Sequence, residues 1–303
     1  MTEAGRAKAS EQIRERTMAG TLYLCATPIG NLEDMTFRAV RVLKDADLIA
    51  AEDTRNSIKL LNHFDIHTPM TSYHEHNKYE KGKRLVDRLL RGETIALITD
   101  AGTPGISDPG EELVKMCFDA GIHVTAVPGA AACVTALTIS GLGTRRFVFE
   151  AFLPADKRER ERVLDALKRE QRTMIIYEAP HRLVKTLNLL AQTLGGDRMV
   201  SVCRELTKKH ESVYRSTLSG AASYYAEHDP KGECVLVVEG LSFEAIDREE
   251  KEKWASVSIE EHMEYYFSQG MDRKEAMKKT ARDRGVQKRE IYNYLEQNKK
   301  REI

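Results

Sequence analysis

Short apolar runs rich in β-formers alternate with segments of helical period from Thr21 to about Gly240, and this alternation constrains the fold most. The runs TLYLCAT, DLIAAED, TIALITD and HVTAVP are separated by stretches with apolar residues at helical spacing. A helix between two strands supplies the crossover that parallel pairing needs. The first half of the chain therefore predicts a mainly parallel, doubly wound α/β sheet.

A second series of strands, RFVFEAFLP, TMIIYEAP, MVSVCREL and GECVLVVEG, follows the segment SGLGTRR. ESVYRST comes too soon after MVSVCREL for a crossover helix, which favours antiparallel pairing and a mixed second sheet. We place a domain boundary near residue 143. The predicted units are a flexible arm at 1–19, α/β domains at 20–142 and 143–240, a linker at 241–255, and a helical unit at 256–303.

Composition narrows the class of protein. The 47 basic and 47 acidic residues cancel, so affinity for an anion has to come from local clusters. No apolar run approaches the roughly 18 residues of a membrane helix, and the N-terminus lacks the apolar core of a signal peptide, which together predict a cytoplasmic protein with no membrane contact. Five isolated cysteines and the absence of ligand-like spacing argue against a disulfide framework or a protein-bound metal.

The C-terminal unit has three pieces of helical period with breaks at Gly270 and Gly285, which predicts a helix-turn-helix-like arrangement. From Arg273 to Arg289 it carries eight Lys or Arg against two acids. This local excess, with the basic and aromatic residues of VQKREIYNYL, favours nucleic-acid binding. The alternative is a helical interaction or dimerisation module with a solvated charged face.

The stretch LITDAGTPGISDPGEELV joins a predicted strand to a helix at the sheet edge where open parallel sheets bind ligands. Its glycines match neither G-x-G-x-x-G nor the P-loop pattern, and no lysine follows to meet a phosphate. Its prolines remove amide donors and its carboxylates repel anions. The loop favours a ligand with hydroxyls or a positive centre, such as S-adenosylmethionine, although Ser107 or Asp108 also suits a helix cap.

Two further loops, ATPIGNLEDMT and AVPGAAACVTALTISGLG, also leave strands and enter helices. The alanines from Ala130 onward allow a flat ring or a backbone to approach closely, and tight packing of helix on sheet is the alternative explanation. Three such loops in one domain predict a cleft.

Charged residues gather at the ends of two other strands. AEDTRNSIKLL places Glu52 and Asp53 before Arg55 and Lys59, which lie four residues apart on one helix face. Paired acids followed by bases are suited to orient a polar acceptor, unless Asp53 simply caps the helix and the two bases are solvated. YEAPHRL brings Tyr177, Glu178, His181 and Arg182 together around a proline, which is typical of a site rather than of a core.

Together TPIGNLEDMTFRA, AEDTR, TDAGTPGISDPG, VPGAAA, YEAPHRL and GECVLVVEG resemble the tetrapyrrole methylase superfamily. More narrowly, they resemble its members that methylate the ribose 2'-hydroxyl of a decoding-centre cytidine in 16S rRNA. The resemblance extends from Gly20 to Gln297. It implies two α/β domains with S-adenosylmethionine in the cleft between them, 16S rRNA of the small ribosomal subunit as substrate, and a homodimer.

Carried across by position, the resemblance implies a set of site residues. The cofactor would contact Pro28, Asp100, Ala101, Gly102, Gly105, Ile106, Ser107, Asp108, Ala130, Tyr177, Cys234 and Val235. Glu52, Asp53 and Glu178 are the candidate general bases, which the sequence does not rank. RNA would contact Arg55, Lys59, His181, Arg182, Lys208, Lys209, Arg273, Lys274, Lys288 and Arg289.

Two other functions fit parts of the sequence. One is a methyltransferase of the same superfamily that acts on a porphyrinoid carbon and has no need of the basic C-terminal unit. The other is a regulator whose α/β part senses a metabolite and whose helical unit binds DNA, which would leave the paired acids without a role.

Overall fold

The computed structural model describes residues 19–299, so residues 1–18 of the predicted arm lie outside the described part. Five strands, β1 (Thr21–Cys25), β2 (Leu48–Ala51), β3 (Met70–Ser72), β4 (Ile95–Ile98) and β5 (His123–Val127), form the first sheet. Their order is β3-β2-β4-β1-β5 and every pair is parallel. The predicted parallel sheet is confirmed, and the short edge strand β3 is the one that sequence analysis did not identify.

Helices cover both faces of this sheet. They are α1 (Phe37–Asp45), α2 (Thr54–His63), α3 (Lys78–Leu90) and α4 (Gly110–Asp119), whereas the next helix, α5 (Ala132–Ile139), packs on the second sheet. On one face α3 and α4 bury Leu85 and Leu113 against the strands, and on the other α1 and α2 bury Leu43 and Leu61. This doubly wound arrangement brings the loops after β1, β4 and β5 to one edge of the sheet.

The second sheet is mixed, as the sequence predicts. It contains β6 (Phe147–Phe152), β7 (Thr173–Glu178), β8 (Met199–Arg204), β9 (Ser212–Thr217) and β10 (Cys234–Val238), in the order β6-β7-β10-β8-β9. Strands β6 and β7 pair in parallel, whereas the other three pairs are antiparallel. The β8–β9 hairpin confirms the pairing expected from the short connection before ESVYRST.

The two faces of the second sheet are covered from different parts of the chain. One face packs on α6 (Lys157–Leu167), α7 (Leu183–Leu194) and α8 (Leu218–Glu227). The opposite face is covered by α5, which buries Cys133, Ala136 and Leu137 against the second sheet. Helix α5 therefore joins the two α/β units. The domain boundary near residue 143, just after this helix, stays a prediction.

Four helices complete the described chain: α9 (Phe243–Ala255), α10 (Ile259–Ser268), α11 (Arg273–Asp283) and α12 (Lys288–Lys299). The predicted linker at 241–255 is thus mostly helical. Ser258 and Glu261 form a capping box at the start of α10, while Gly270 and Gly285 adopt positive φ after α10 and α11. These breaks confirm the three helical pieces, which share a small core that includes Met263.

Candidate active-site cleft

A cleft of about 800 Å³, counted to its open mouth, lies between the carboxyl edge of the first sheet and the second sheet. The first unit contributes Ile29, Ala101, Gly102, Thr103, Ile106 and Ala131, followed by Ala132 and Cys133 at the start of α5. These side chains are small or apolar, so this wall offers mostly backbone and apolar surface.

Hydrogen bonds join the three loops of the first wall. Thr27 and Gly102 form an antiparallel bridge, in which the Thr27 amide donates to Gly102 O at 2.8 Å and the Gly102 amide donates to Thr27 O at 3.1 Å. Thr103 Oγ1 donates to Ala130 O at 2.9 Å, which links the loop after β4 to the loop after β5. The three loops therefore form one preorganised surface, as their shared sheet edge predicts.

The Asp108 carboxylate organises the loop after β4 from inside. It accepts hydrogen bonds from the amides of Gly105, Ile106 and Gly110, at 2.7 to 3.3 Å. Gly102 and Gly105 have φ of 87° and 83°, values that a side chain disfavours, and Ser107 also has a positive φ of 63°. Asp108 thus stabilises the turn and does not line the cleft.

The acids at the end of β2 are also engaged by protein groups. Glu52 Oε2 accepts from Thr99 Oγ1 at 2.5 Å and from the Asp100 amide at 3.3 Å, which ties the ends of β2 and β4 together. Asp53 caps α2 and pairs with the Arg55 guanidinium, and these hydrogen bonds from Arg55 lower the pKa of Asp53 to about 2. Asp53 is therefore a weak base. It also caps α2, which is the alternative role that the sequence suggests for it.

The second wall of the cleft comes from the second sheet. Tyr177 on β7 accepts a hydrogen bond from the Cys133 amide at 3.0 Å, which connects this sheet to the first turn of α5. Its ring packs edge-on against Phe149 and Phe152, and burial raises the pKa of its hydroxyl. Cys234 and Val235 of β10 complete the apolar part of this wall. Its remaining lining residues are Phe152, Glu178, Glu205, Leu206, Lys208 and Glu233.

Glu178 is the one member of the predicted catalytic set that lines the cleft. Its carboxylate is almost fully buried and accepts hydrogen bonds from Thr186 Oγ1 at 2.5 Å and from the Ala179 amide at 2.9 Å. Arg182 Nε lies 3.4 Å from Oε1 of Glu178. Glu178 therefore fixes the turn between β7 and α7 while facing the cleft.

The predicted cofactor residues divide into two groups. Those that line the cleft are Ala101, Gly102, Ile106, Tyr177, Cys234 and Val235. Those that support it from behind or beside it are Pro28, Asp100, Gly105, Ser107, Asp108 and Ala130. Contact of either group with a ligand stays a prediction.

Sequence reasoning missed several lining residues, chiefly Ile29, Cys133, Glu205, Leu206 and Glu233. Ile29 follows Pro28, which the sequence analysis does predict as a cofactor contact. Cys133 follows the small side chains after Gly129 that indicate a close approach there. Glu205 and Glu233 had no local signal, because they meet only through the pairing of β8 with β10.

The predicted RNA-binding residues lie on the protein surface, and most are exposed. Arg55, Lys59 and His181 are exposed near the acidic strand ends, while Arg182 is partly covered. On the C-terminal unit Arg273, Lys274, Lys288 and Arg289 are exposed. Lys209 is exposed, whereas its neighbour Lys208 lines the cleft.

Two classes of feature are absent from residues 19–299. No group of three His, Cys, Asp or Glu side chains is arranged there to hold a metal ion. None of the helices in this part of the chain combines the length and the apolar character needed to cross a membrane.

Comparison with known proteins assigns the chain to a family. The family model described as Tetrapyrrole (Corrin/Porphyrin) Methylases matches residues 21–222, which contain the first sheet and every strand of the second sheet except β10. The chain belongs to the tetrapyrrole methylase family. The family resemblance seen in the six sequence motifs is therefore confirmed.

Individual curated proteins are similar to the chain over most of its length. It is 53% identical to ribosomal RNA small subunit methyltransferase I of Halalkalibacterium halodurans, over 96% of this chain and 99% of that protein. It is 51% identical to the protein of the same name from Bacillus subtilis, over 90% and 93% of the two chains.

Among solved structures, one similar fold is that of the uroporphyrin-III C-methyl transferase from Thermus thermophilus complexed with S-adenyl homocysteine. The TM-score is 0.52 at 19% identity, and the match covers 73% of this chain and 97% of that one. At this identity the match supports the shared fold alone.

Proposed function

We propose that this tetrapyrrole methylase uses S-adenosylmethionine to methylate the ribose 2'-hydroxyl of a decoding-centre cytidine in 16S rRNA of the small ribosomal subunit. The observation that carries the proposal is the identity of 53% and 51% to two proteins named ribosomal RNA small subunit methyltransferase I, across nearly their full lengths. The cytidine, the ribose oxygen and a homodimeric state are the more specific parts of the proposal, and they are what the family resemblance of the sequence motifs implies.

The chemistry of the cleft suits S-adenosylmethionine. Its first wall offers backbone and small apolar side chains to a flat base, while Glu178, Glu205 and Glu233 bring negative charge towards a cationic ligand. The acids of TDAGTPGISDPG do not provide this charge. Asp108 accepts hydrogen bonds from backbone amides of its own turn, and Asp100 accepts a hydrogen bond from the Asp53 amide at 3.1 Å. The expected acidic environment therefore comes mainly from the second wall.

When bound, S-adenosylmethionine supplies a methyl group activated by its sulfonium. The residues of this chain then have to align the acceptor oxygen with that methyl group and keep the two in a partly enclosed space. The loops fixed by the Thr27–Gly102 bridge and by Tyr177 are suited to this role, because little reorganisation is needed when ligands bind. Tyr177 and Gly102 would contact the cofactor from opposite walls.

A general base would remove the proton of the attacking hydroxyl. Among the three candidates we place Glu178 first, because it alone lines the cleft. Glu52 does not line the cleft, and the low pKa of Asp53 makes its carboxylate a weak proton acceptor.

The exposed basic residues provide a surface for the RNA backbone. Arg55, Lys59, His181 and Arg182 flank the strand ends, and the C-terminal unit adds its exposed Lys and Arg residues. Contacts of this kind position an RNA without reading its sequence. We propose that the helical unit docks on the subunit while the α/β units carry out the methyl transfer.

The test is mass spectrometry of 16S rRNA from cells with and without the gene for this protein. The expected result is loss of one ribose methyl group at a decoding-centre cytidine in the deletion strain, and its return when the gene is restored. Unchanged rRNA in the deletion strain would refute the proposed substrate.

A further inference from the structure

The loop between β3 and α3, residues 73–79, leaves the first sheet at the same edge as the cleft, because every strand of this sheet is parallel. The amide of Tyr73 donates to Ala51 O at 2.8 Å, which places this β3–α3 loop beside the acids at the end of β2. Strand β4, whose loop lines the cleft, is two strands away, at roughly 10 Å. The β3–α3 loop is therefore within reach of an RNA segment whose target nucleotide enters the cleft.

Hydrogen bonds hold the β3–α3 loop in place. Tyr73 is only 1% exposed, and its hydroxyl donates to Pro109 O at 3.0 Å, just before α4. The Asn77 side chain accepts from the His74 amide at 2.9 Å and closes the turn that leads into α3. A surface that is fixed in advance loses less conformational entropy when a partner binds. The loop is thus suited to hold a ligand on its outer side.

On that outer side the loop and the first turns of α3 expose an aromatic ring and a cation. Tyr79 is 60% exposed. Lys83 is exposed four residues further along, and residues at this spacing share a helix face. Nζ of Lys78 lies 5.3 Å from the centroid of the Tyr79 ring, which adds positive charge beside the ring. The two acids of residues 73–84 are each paired with a base, in Glu75–Lys78 and Glu80–Arg84.

An exposed ring flanked by lysines fits nucleic acid better than protein. A base of any kind can stack on an aromatic side chain, while adjacent cations follow the phosphate backbone. Lysine, by contrast, is depleted in interfaces between proteins. The surface also adjoins Arg55 and Lys59 at the neighbouring strand end, where RNA contacts are proposed above. Together these features favour a single-stranded RNA segment, whose unpaired bases are free to stack.

We propose that Tyr79 stacks on a base of 16S rRNA close to the methylated nucleotide and that Lys83 contacts the phosphate backbone beside it. The inference rests on the proposed rRNA substrate and adds a binding site outside the cofactor cleft. Stacking at this position holds the RNA at the sheet edge while the target nucleotide occupies the cleft. Tyr79 thus binds the substrate and takes no part in the transfer of the methyl group.

Binding of the full chain to small ribosomal subunits from a strain that lacks its gene tests the inference. Tyr79→Ala is expected to weaken binding about tenfold, as loss of a stacked base does. Tyr79→Phe keeps the ring and is expected to bind as the unaltered protein does. Both variants should bind S-adenosylhomocysteine with unchanged affinity in calorimetry, which separates loss of stacking from damage to the cleft.

The salt dependence of the same binding reaction tests the phosphate contact. Lys83→Gln is expected to reduce the slope of log affinity against log salt concentration by about one, whereas Tyr79→Ala should leave this slope unchanged. Phe118 provides the matched control, because it is 69% exposed near the far end of α4, at the opposite edge of the sheet. Phe118→Ala is expected to alter neither the affinity nor the slope.

Full affinity in Tyr79→Ala would overturn the inference, as would an equal loss in Tyr79→Phe or in Phe118→Ala. An unchanged slope in Lys83→Gln would exclude the phosphate contact and point to a protein of the subunit as the partner, which also overturns it. If the unaltered protein did not bind the subunits at all, the proposed substrate itself would be wrong. The failure of the inference and the failure of the proposed function thus give different results.

Discussion

The two walls of the cleft use charge in opposite ways. In the first wall, the Asp108 carboxylate accepts three backbone amides of its own turn, and glycines take positive φ there. In the second wall, Glu205 takes positive φ without being a glycine and directs its charge towards the cleft with Lys208. The presence of carboxylates in a loop sequence therefore does not show whether they stabilise the loop itself or face a ligand.

The largest expected effect is on the first wall. Asp108→Ala leaves the amides of Gly105 and Gly110 without their acceptor in a partly buried turn. Because an unsatisfied buried donor costs about 1 to 3 kcal/mol, we expect a loss of about 3 kcal/mol in the free energy of unfolding, measured by urea denaturation. S-adenosylhomocysteine binding should weaken with it.

Asp119→Ala is the matched control, since Asp119 lies at the other end of α4 and is exposed, with Lys115 as its partner. It should change the free energy of unfolding by less than about 0.5 kcal/mol. An Asp108→Ala protein as stable as its parent would contradict the structural role of Asp108.

A smaller effect tests the contact between the walls. Gly30→Ala forces the new methyl group into the Lys208 stem, and overpacking of this kind costs about 1 to 2 kcal/mol. Lys208→Ala removes the two nearest colliding atoms and leaves the Leu206 carbonyl oxygen at 3.1 Å, so the double variant should recover most of the lost stability in the same unfolding assay. Simple additivity of the two single changes would show that the walls do not meet at this point.

The smallest effect concerns the acids at the end of β2. Asp53 has a pKa of about 2 in the folded protein, so it is ionised throughout the range in which methyl transfer would be assayed. Asp53→Asn should therefore leave the shape of the profile of kcat/KM against pH unchanged between about pH 5 and 9. Loss of an acid limb in this variant would identify Asp53 as the base, contrary to our ranking.

The sequence predicts the sheets better than it predicts the cleft. TIALITD and GECVLVVEG are unambiguous strands because each contains a continuous apolar run, IALI and CVLVV, and every residue of these runs is buried in β4 and β10. Strand β3 is three residues long and only partly buried, so its pattern was too weak to detect.

The first wall was largely predictable, since three Gly- and Pro-containing loops after parallel strands have to converge at one sheet edge. The second wall was not predictable in the same way. Glu205 reaches the cleft through a left-handed backbone conformation that its sequence does not favour, and Glu233 joins it through the register of β8 and β10. Helix α5 illustrates the same limit, because its alanines predicted close packing without indicating the sheet that it covers.

The most direct test of the central claim is methyl transfer in a purified system. The protein would be incubated with labelled S-adenosylmethionine and small ribosomal subunits from a strain that lacks its gene, and the rRNA would be digested to nucleosides. Our account predicts label in 2'-O-methylcytidine from 16S rRNA. Label on a base or on a ribosomal protein, or none at all, would contradict it.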